Sequence, residues 1–251
     1  MGLPRIAVPE YSLKLPSNGK ELKYRPFLVK EEKLLLLAME SEDSQQIITA
    51  TKNVIKNCVF GIIDVDTMPT FDIEYIFLWL RGRAKGEVIE LNYKCPKCEG
   101  QIPMSFNIED VKVHKDDGHD KKVELSDGVG VMMKYPTMSL QAEIENMADL
   151  SQVEQMFKTM RLCIDYIYDA EKMYANKDHT EEEMVDFLES LTDDQFQKIS
   201  KFFEGSPKLK HEITLNCTTP SKEKGKKKSE KKSVCGYSED VTLEGLQSFF
   251  G

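Results

Sequence analysis

Long apolar runs, export features and an excess of positive charge are all missing from the sequence. The longest apolar runs, LLLLAM (34–39) and IFLWL (76–80), are far too short to span a bilayer. The start, MGLPRIAVPEYS, lacks the apolar stretch of a secretory signal. The formal net charge of −9 predicts no general attraction to nucleic acid or to an anionic membrane. We therefore expect a soluble protein with no membrane partner.

Common enzyme motifs are also missing. The sequence contains no nucleophile elbow, P-loop, dinucleotide fingerprint or zinc-protease helix motif. A hydrolase built on the acidic residues of 116–127 stays an alternative, but it would need a pocket for its substrate. We predict that the chain is not an enzyme.

The first part of the chain has the pattern of a hairpin followed by helices. Residues 11–25 alternate apolar and polar around Asn18-Gly19, which predicts a β-hairpin. Apolar residues then recur at helical spacing, which predicts helices over 29–39, 43–59 and 71–81.

The rest of the chain changes period twice. Alternating patterns predict three strand segments: 86–95, 100–108 and a hairpin over 122–135. From Thr137 to about Glu204 we expect helices. Three capping boxes predict helix starts there: Ser151 with Glu154, Thr180 with Glu183, and Thr192 with Gln195. The apolar stripe after Ser151 is expected to extend the helix through Ile164 and Ile167.

Four of the six cysteines occupy similar positions in two strand–turn–strand segments. The segments, IELNYKCPKCEGQIPMSF and ITLNC…CGYSEDVTL, form a weak internal repeat. Two such hairpins facing each other would bring together four thiolates: Cys95, Cys98, Cys217 and Cys235. Four cysteines fill a tetrahedral zinc site and leave no position for water or substrate. We predict one structural zinc ion per chain in a zinc-ribbon-like module.

The second cysteine pair departs from a usual ribbon. Cys217 and Cys235 are separated by 17 residues rather than two, but loop closure costs little more for a long loop than for a short one. Two alternatives stay open: a thioredoxin-like redox pair, which prefers a helix N-terminus, and four thiols without a metal. Cys58 and Cys163 lie on apolar helical faces and are expected in the core.

These features together predict an α+β fold in three regions. The fold comprises an N-terminal β-hairpin plus helices, a split zinc-ribbon-like β module and an inserted helical segment. The predicted boundaries are 1–85 for the first region, 86–113 with 208–251 for the module, and 114–207 for the inserted hairpin and helical region.

A lysine-rich segment lies inside the second cysteine pair. Residues 222–232 contain seven lysines and two glutamates, and we expect a flexible loop over 221–232. An alternative function is a zinc-ribbon regulator that binds nucleic acid through this loop. The segment offers no arginine or aromatic side chain for base contacts, and because its own charge is +5, the rest of the chain carries −14. Nucleic acid is therefore an unlikely partner.

Several apolar side chains are candidates for binding a protein partner. They lie on the predicted helices or at the end of the chain: Met156, Phe157, Phe187, Phe203, Phe249 and Phe250. Such residues serve either as core or as anchors in an interface.

Segments spread along the chain resemble one protein family. They are YRPFLVKEEKLLLLAMES, FDIEYIFLWLR, the cysteine segments, LTDDQFQKISKFFEGSPKLKHEI and LEGLQSFF. They are similar to the baseplate hub subunits and hub assembly proteins of T-even-type contractile-tailed bacteriophages. The resemblance implies a non-enzymatic role in building the central hub of the baseplate. It also implies binding to other hub proteins or to the tape-measure protein, in the host cytoplasm during assembly. Members of the family are either hub components of the virion tail or assembly factors that need not remain in the finished particle, and both fates stay open for this sequence.

Overall fold

The computed structural model describes residues 6–145, 150–220 and 234–248. Helices and strands both make up large parts of the chain, which confirms the mixed α+β class. Among the described residues, no helix has the length and apolar character needed to cross a membrane.

The N-terminal region contains the predicted hairpin and three helices. Its elements are β1 (Tyr11–Lys14), β2 (Glu21–Tyr24), α1 (Val29–Glu40), α2 (Ser44–Cys58), β3 (Val59–Phe60) and α3 (Thr70–Lys85). The first three strands form one sheet in sequence order. Gly19 makes the tight turn of the hairpin at φ +71°, and the Asp43 carboxylate caps α2 by accepting from the Gln45 amide. Helix α3 is buried along most of its length and fills the centre of this region.

The cysteine-bearing strands form two sheets. The elements are β4 (Val88–Lys94), β5 (Gln101–Asn107), β6 (Lys112–His114), β11 (Lys208–Asn216), β12 (Ser238–Glu244) and the short helix α8 (Gly245–Ser248). Strands β4 and β5 pair with each other, and the other sheet has the order β12-β11-β6. Strand β6 was not predicted. It pairs antiparallel with the start of β11, with His114 opposite Lys208, so the two ends of the segment between them are neighbours.

The segment between β6 and β11 contains more strand than we predicted. Its elements are β7 (Lys122–Ser126), β8 (Val129–Met133), α4 (Met138–Glu145), α5 (Gln152–Cys163), β9 (Ile164–Tyr168), β10 (Met173–Ala175), α6 (Glu181–Glu189) and α7 (Asp193–Glu204). The four strands of this segment form one sheet of order β10-β9-β8-β7. The three predicted capping boxes are present at α5, α6 and α7.

The prediction of helix through Ile164 and Ile167 is wrong. Helix α5 ends at Cys163, and IDYIY forms a strand that pairs with β8. The sequence of this strand is β-branched and aromatic, which favours a pleated, half-buried surface over a helix. Asp169 then accepts hydrogen bonds from the Glu171 and Lys172 amides, which turns the chain into β10. The inserted segment is thus a mixed region rather than a helical one.

The buried apolar side chains form several clusters, each between helices and strands. One cluster packs the first hairpin, α2 and α3, and a second packs α5, α6 and α7 onto the four-stranded sheet. A third joins the outer face of α3 to β4, β5 and β11. The N-terminal and inserted regions also touch directly. Thr70 donates to the Pro136 carbonyl, and Phe71 packs edge-on against Tyr135 with ring centres 5.1 Å apart.

Candidate metal centre

The two hairpins carry their cysteines at matching positions. In each hairpin one cysteine directly follows the first strand, and the other lies three residues before the second strand. These cysteines are Cys95 and Cys98 in the β4–β5 hairpin, and Cys217 and Cys235 in the β11–β12 hairpin. The strand registers agree, since Lys94 pairs with Gln101 and Asn216 pairs with Ser238. The four cysteines are therefore placed by two copies of one local geometry.

The backbone around the cysteines repeats as well. In the first hairpin the Cys95 amide donates to the Gly100 carbonyl at 2.8 Å, and in the second the Cys217 amide donates to the Tyr237 carbonyl at 2.8 Å. A residue with positive φ follows the second cysteine each time: Glu99 at +59° and Gly236 at +67°. This conformation turns the chain back toward the first strand in both hairpins.

The four sulfur atoms lie at the distances expected of ligands to one ion. All four are within 4.8 Å of one another. The Sγ atoms of Cys95 and Cys235 are 3.8 Å apart, and those of Cys98 and Cys217 are 3.5 Å apart. Four sulfurs placed tetrahedrally about 2.3 Å from a zinc ion would be about 3.8 Å apart. A disulfide needs about 2.05 Å, and all four cysteines are free. The residues fit a metal ion.

The cluster is enclosed by protein. Cys95, Cys217 and Cys235 are buried and Cys98 is half-buried. Ile102 of β5 and Leu215 of β11 are part of the same apolar cluster. With four sulfurs filling a tetrahedron, no position would be open to water or substrate, which is the pattern of a structural site rather than a catalytic one.

Hydrogen bonds to sulfur favour the charged form of Cys217. The side chain and the amide of Thr219 both donate to its sulfur, and the pKa of Cys217 falls to about 6. The Gly100 amide donates to Cys98, but burial and the adjacent sulfurs raise the pKa of Cys98 to about 12. Four thiolates this close repel one another, and a divalent cation would offset that repulsion.

The 17-residue insertion between Cys217 and Cys235 begins and ends beside a pair of bridged residues. Pro220 and Val234 form an isolated antiparallel bridge, and the Cys235 amide donates to the Thr219 carbonyl at 2.9 Å. The insertion thus starts and ends at adjacent points, and the separation of Cys217 from Cys235 does not distort the cluster. The predicted lysine-rich loop, 221–232, lies outside the described residues.

Gly100 permits the two hairpin tips to approach. A Cβ atom at this position would lie 2.3 Å from the Thr219 hydroxyl oxygen. The same Thr219 donates to Cys217, so the glycine and the threonine belong to one contact between the tips. Sequence spacing does not reveal this contact, because Gly100 and Thr219 lie far apart in the sequence.

The remaining cysteines are core residues, as predicted. Cys58 and Cys163 are both fully buried among apolar side chains. Burial raises the pKa of Cys58 to about 11 and that of Cys163 to about 12. Neither thiol is reactive in this setting.

The predicted partner-binding residues differ in exposure. Phe157, Phe187 and Phe203 are half-buried against the core of the inserted region, and Phe157 packs on Phe196 at 5.1 Å. Met156 is 38% exposed. Phe249 and Phe250 lie outside the described residues. Binding of a partner by these side chains stays a prediction.

The surface of α1 is apolar and exposed, which was not predicted from the sequence. Val29 is 81% exposed, Leu36 51% and Leu37 55%. The run LLLLAM could have indicated this surface, because four consecutive leucines cannot all face one side of a helix.

Comparison with known proteins places the chain among phage tail proteins. The family model described as T4 bacteriophage base plate protein matches residues 8–251. The chain belongs to this family. No curated protein matches the chain, and no solved structure does.

Family membership confirms the broad part of the resemblance. The chain is a phage baseplate protein with a structural role in the tail, and the family indicates association with other baseplate proteins. A structural family also favours a non-enzymatic role.

Proposed function

We propose that this protein helps form the central hub of the baseplate by binding other hub proteins, without catalysing a reaction. The match to the baseplate family over residues 8–251 carries this proposal. Assembly would take place in the host cytoplasm before the protein enters the virion tail. The tape-measure protein is the alternative direct partner.

The proposed partner contact uses the apolar side chains of the inserted region. Met156 is exposed beside half-buried Phe157 on α5. Phe187 on α6 and Phe203 on α7 are half-buried in the same cluster. The exposed part of these side chains would contact the hub partner, together with Phe249 and Phe250.

Co-expression with the other baseplate proteins of the same phage tests this function. The tagged chain should capture a hub protein or the tape-measure protein. The variant Met156→Glu should weaken capture, whereas Met173→Glu, an exposed methionine on β10, should not. Deletion of 221–232 should leave capture intact. Steeply salt-dependent binding to DNA or RNA that disappears on that deletion would instead support the regulator.

A structural zinc ion would support this role by fixing the two hairpins. We propose one zinc per chain, bound by Cys95, Cys98, Cys217 and Cys235. The four sulfurs fit a tetrahedral ion, and the donor set is all thiolate, which favours zinc over magnesium or calcium. Residues 86–113 and 208–251 would then form one zinc-ribbon-like module, with 114–207 inserted between its halves.

Metal content tests the zinc site. Elemental mass spectrometry of the purified chain should find about one zinc per molecule. The variants Cys95→Ser and Cys235→Ser should each lose the zinc and unfold at a lower temperature. Cys163→Ala, which removes a thiol from a different core cluster, should keep the zinc. A wild-type chain that contains no zinc when purified without chelator would contradict the site.

A further inference from the structure

The outer face of α1 is unusual for an exposed helix. The helix packs inward through Glu31, Leu35 and Ala38. Its opposite side presents Val29, Lys33, Leu36, Leu37 and Glu40, all exposed. We call these five residues the α1 face. An apolar stripe with a few charges, placed away from the core, is typical of a contact between proteins.

An uncharged groove adjoins the α1 face. It has a volume of about 340 Å³ and is lined by residues of both α1 and α2. Its lining contains no charged residue: Leu34, Leu37, Ala38, Gln45, Gln46, Thr49, Ala50 and Asn53. Charged residues make up 31% of the chain, so this lining differs from the general surface. The two alanines at its base leave room for another side chain.

The charges on the α1 face are complementary to themselves. Two copies of α1 packed antiparallel, with a two-fold axis between Leu36 and Leu37, would place Lys33 of each copy opposite Glu40 of the other. Within the described part of the chain, neither Lys33 nor Glu40 takes part in an ion pair. A parallel arrangement would instead place Lys33 next to Lys33. The face therefore matches a second copy in one orientation.

We propose that the α1 face pairs with the same face of a second copy of this chain, forming an antiparallel two-fold dimer. The contact is isologous, so it closes with two copies. A helix of this length, about 18 Å, buries less than a standard interface of roughly 1,600 Å². We expect a dissociation constant on the order of 10 μM. This inference does not depend on the proposed hub function.

Charge exchange tests both the dimer and its orientation. Sedimentation velocity of the full chain, over concentrations that bracket about 10 μM, should show monomer and dimer in exchange. Lys33→Glu places a second carboxylate opposite Glu40 at both ends of the contact, and Glu40→Lys places a second ammonium opposite Lys33 at both ends. Each variant alone should weaken dimerisation about tenfold or more.

Two combinations should restore the dimer. The double variant Lys33→Glu/Glu40→Lys exchanges the charges and keeps every pair attractive. An equimolar mixture of the two single variants should form a heterodimer. One copy then carries Glu at positions 33 and 40 and the other carries Lys at both, so each charge pair across the contact is attractive. The control Met173→Glu, an exposed methionine on β10, should dimerise like the wild type.

The outcomes separate a second copy from other occupants. A monomeric wild-type chain throughout the concentration range would overturn the proposal and leave the α1 face to a different baseplate protein. A wild-type dimer whose affinity is unchanged in both single variants would overturn it as well, because the copies would then meet elsewhere. Far-UV circular dichroism of each variant checks that the fold is intact.

Discussion

At the scale of single residues, Glu31 shows how a buried charge is held at the start of α1. Its side chain is 2% exposed, forms an ion pair with Arg25 at 3.0 Å and accepts from the Leu28 amide at 2.9 Å. Burial alone would raise the pKa of Glu31, but the hydrogen bonds from Arg25 and Leu28 outweigh it and lower the pKa. The resulting stabilisation is present above the ordinary carboxyl pKa and is lost as the pH falls through the lowered value.

Removal of Arg25 should destabilise the fold more at neutral than at acidic pH. Arg25→Ala leaves the buried Glu31 carboxylate with only the exposed Lys30 as an ionic partner, which should cost about 3 kcal/mol of unfolding free energy at pH 7. At about pH 4 the stranded carboxyl of the variant can take up a proton, so the difference from wild type should shrink. Urea unfolding at both pH values measures this.

Lys30 provides the matched control for Arg25. Its ammonium lies 3.4 Å from the same carboxylate but its side chain is 69% exposed, so Lys30→Ala should change the unfolding free energy by less than about 1 kcal/mol. Equal effects of Lys30→Ala and Arg25→Ala would show that burial does not govern this ion pair.

Residue spacing predicted the cysteine set but not its surroundings. The matching flanking sequences of the two hairpins were enough to place Cys217 and Cys235 in one cluster with the other two cysteines, although 17 residues separate them. The Pro220–Val234 bridge and the contact of Gly100 with Thr219 depend on folded geometry and have no local pattern. Likewise, an apolar stripe on a helix does not reveal whether Phe157 faces a core or a partner.

At the scale of elements, the junction of α5 and β9 is where tertiary structure overrides the helical pattern. The sequence after Cys163 continues with isoleucines at helical spacing, yet strand pairing with β8 prevails. The Asn176 side chain donates to the carbonyls of Arg161 and Ile164, both at 2.7 Å. These bonds tie the end of α5 to the segment after β10, and the Arg161 carbonyl also accepts from the Ile164 amide.

Truncation of Asn176 should destabilise this junction. Asn176→Ala removes both hydrogen bonds, although the Arg161 carbonyl keeps the Ile164 amide as a donor. The expected loss is about 1–3 kcal/mol of unfolding free energy. Chemical denaturation measures the loss, with Asn92→Ala on the exposed side of β4 as control. If the two variants are equally stable, the strand pairing alone holds the junction.

At the scale of the whole molecule, strand pairing and the proposed metal site would restrain different parts of the chain. The β6–β11 pairing already joins the two ends of the segment between them, with His114 opposite Lys208. Strand β6 was not predicted, because a three-residue strand leaves too little pattern in the sequence to be detected. This joining does not require a metal. The metal would instead fix the far end of β11, where Leu215 packs beside the cysteines.

Metal removal should therefore loosen the molecule in a graded way. Strand β11 runs from Leu209, buried with α3 and β4, to Leu215, buried with the cysteines. After chelation, amide hydrogen exchange should quicken at 213–217 and 238–241, while 208–210 should stay protected. The cores of the N-terminal and inserted regions contain none of the four clustered cysteines, so their amides should exchange as before. The Cys95→Ser variant should reproduce the chelated pattern without chelator. Loss of protection throughout the described residues would show that the metal holds the entire fold, and unchanged exchange at 213–217 would show that the hairpins are held by packing.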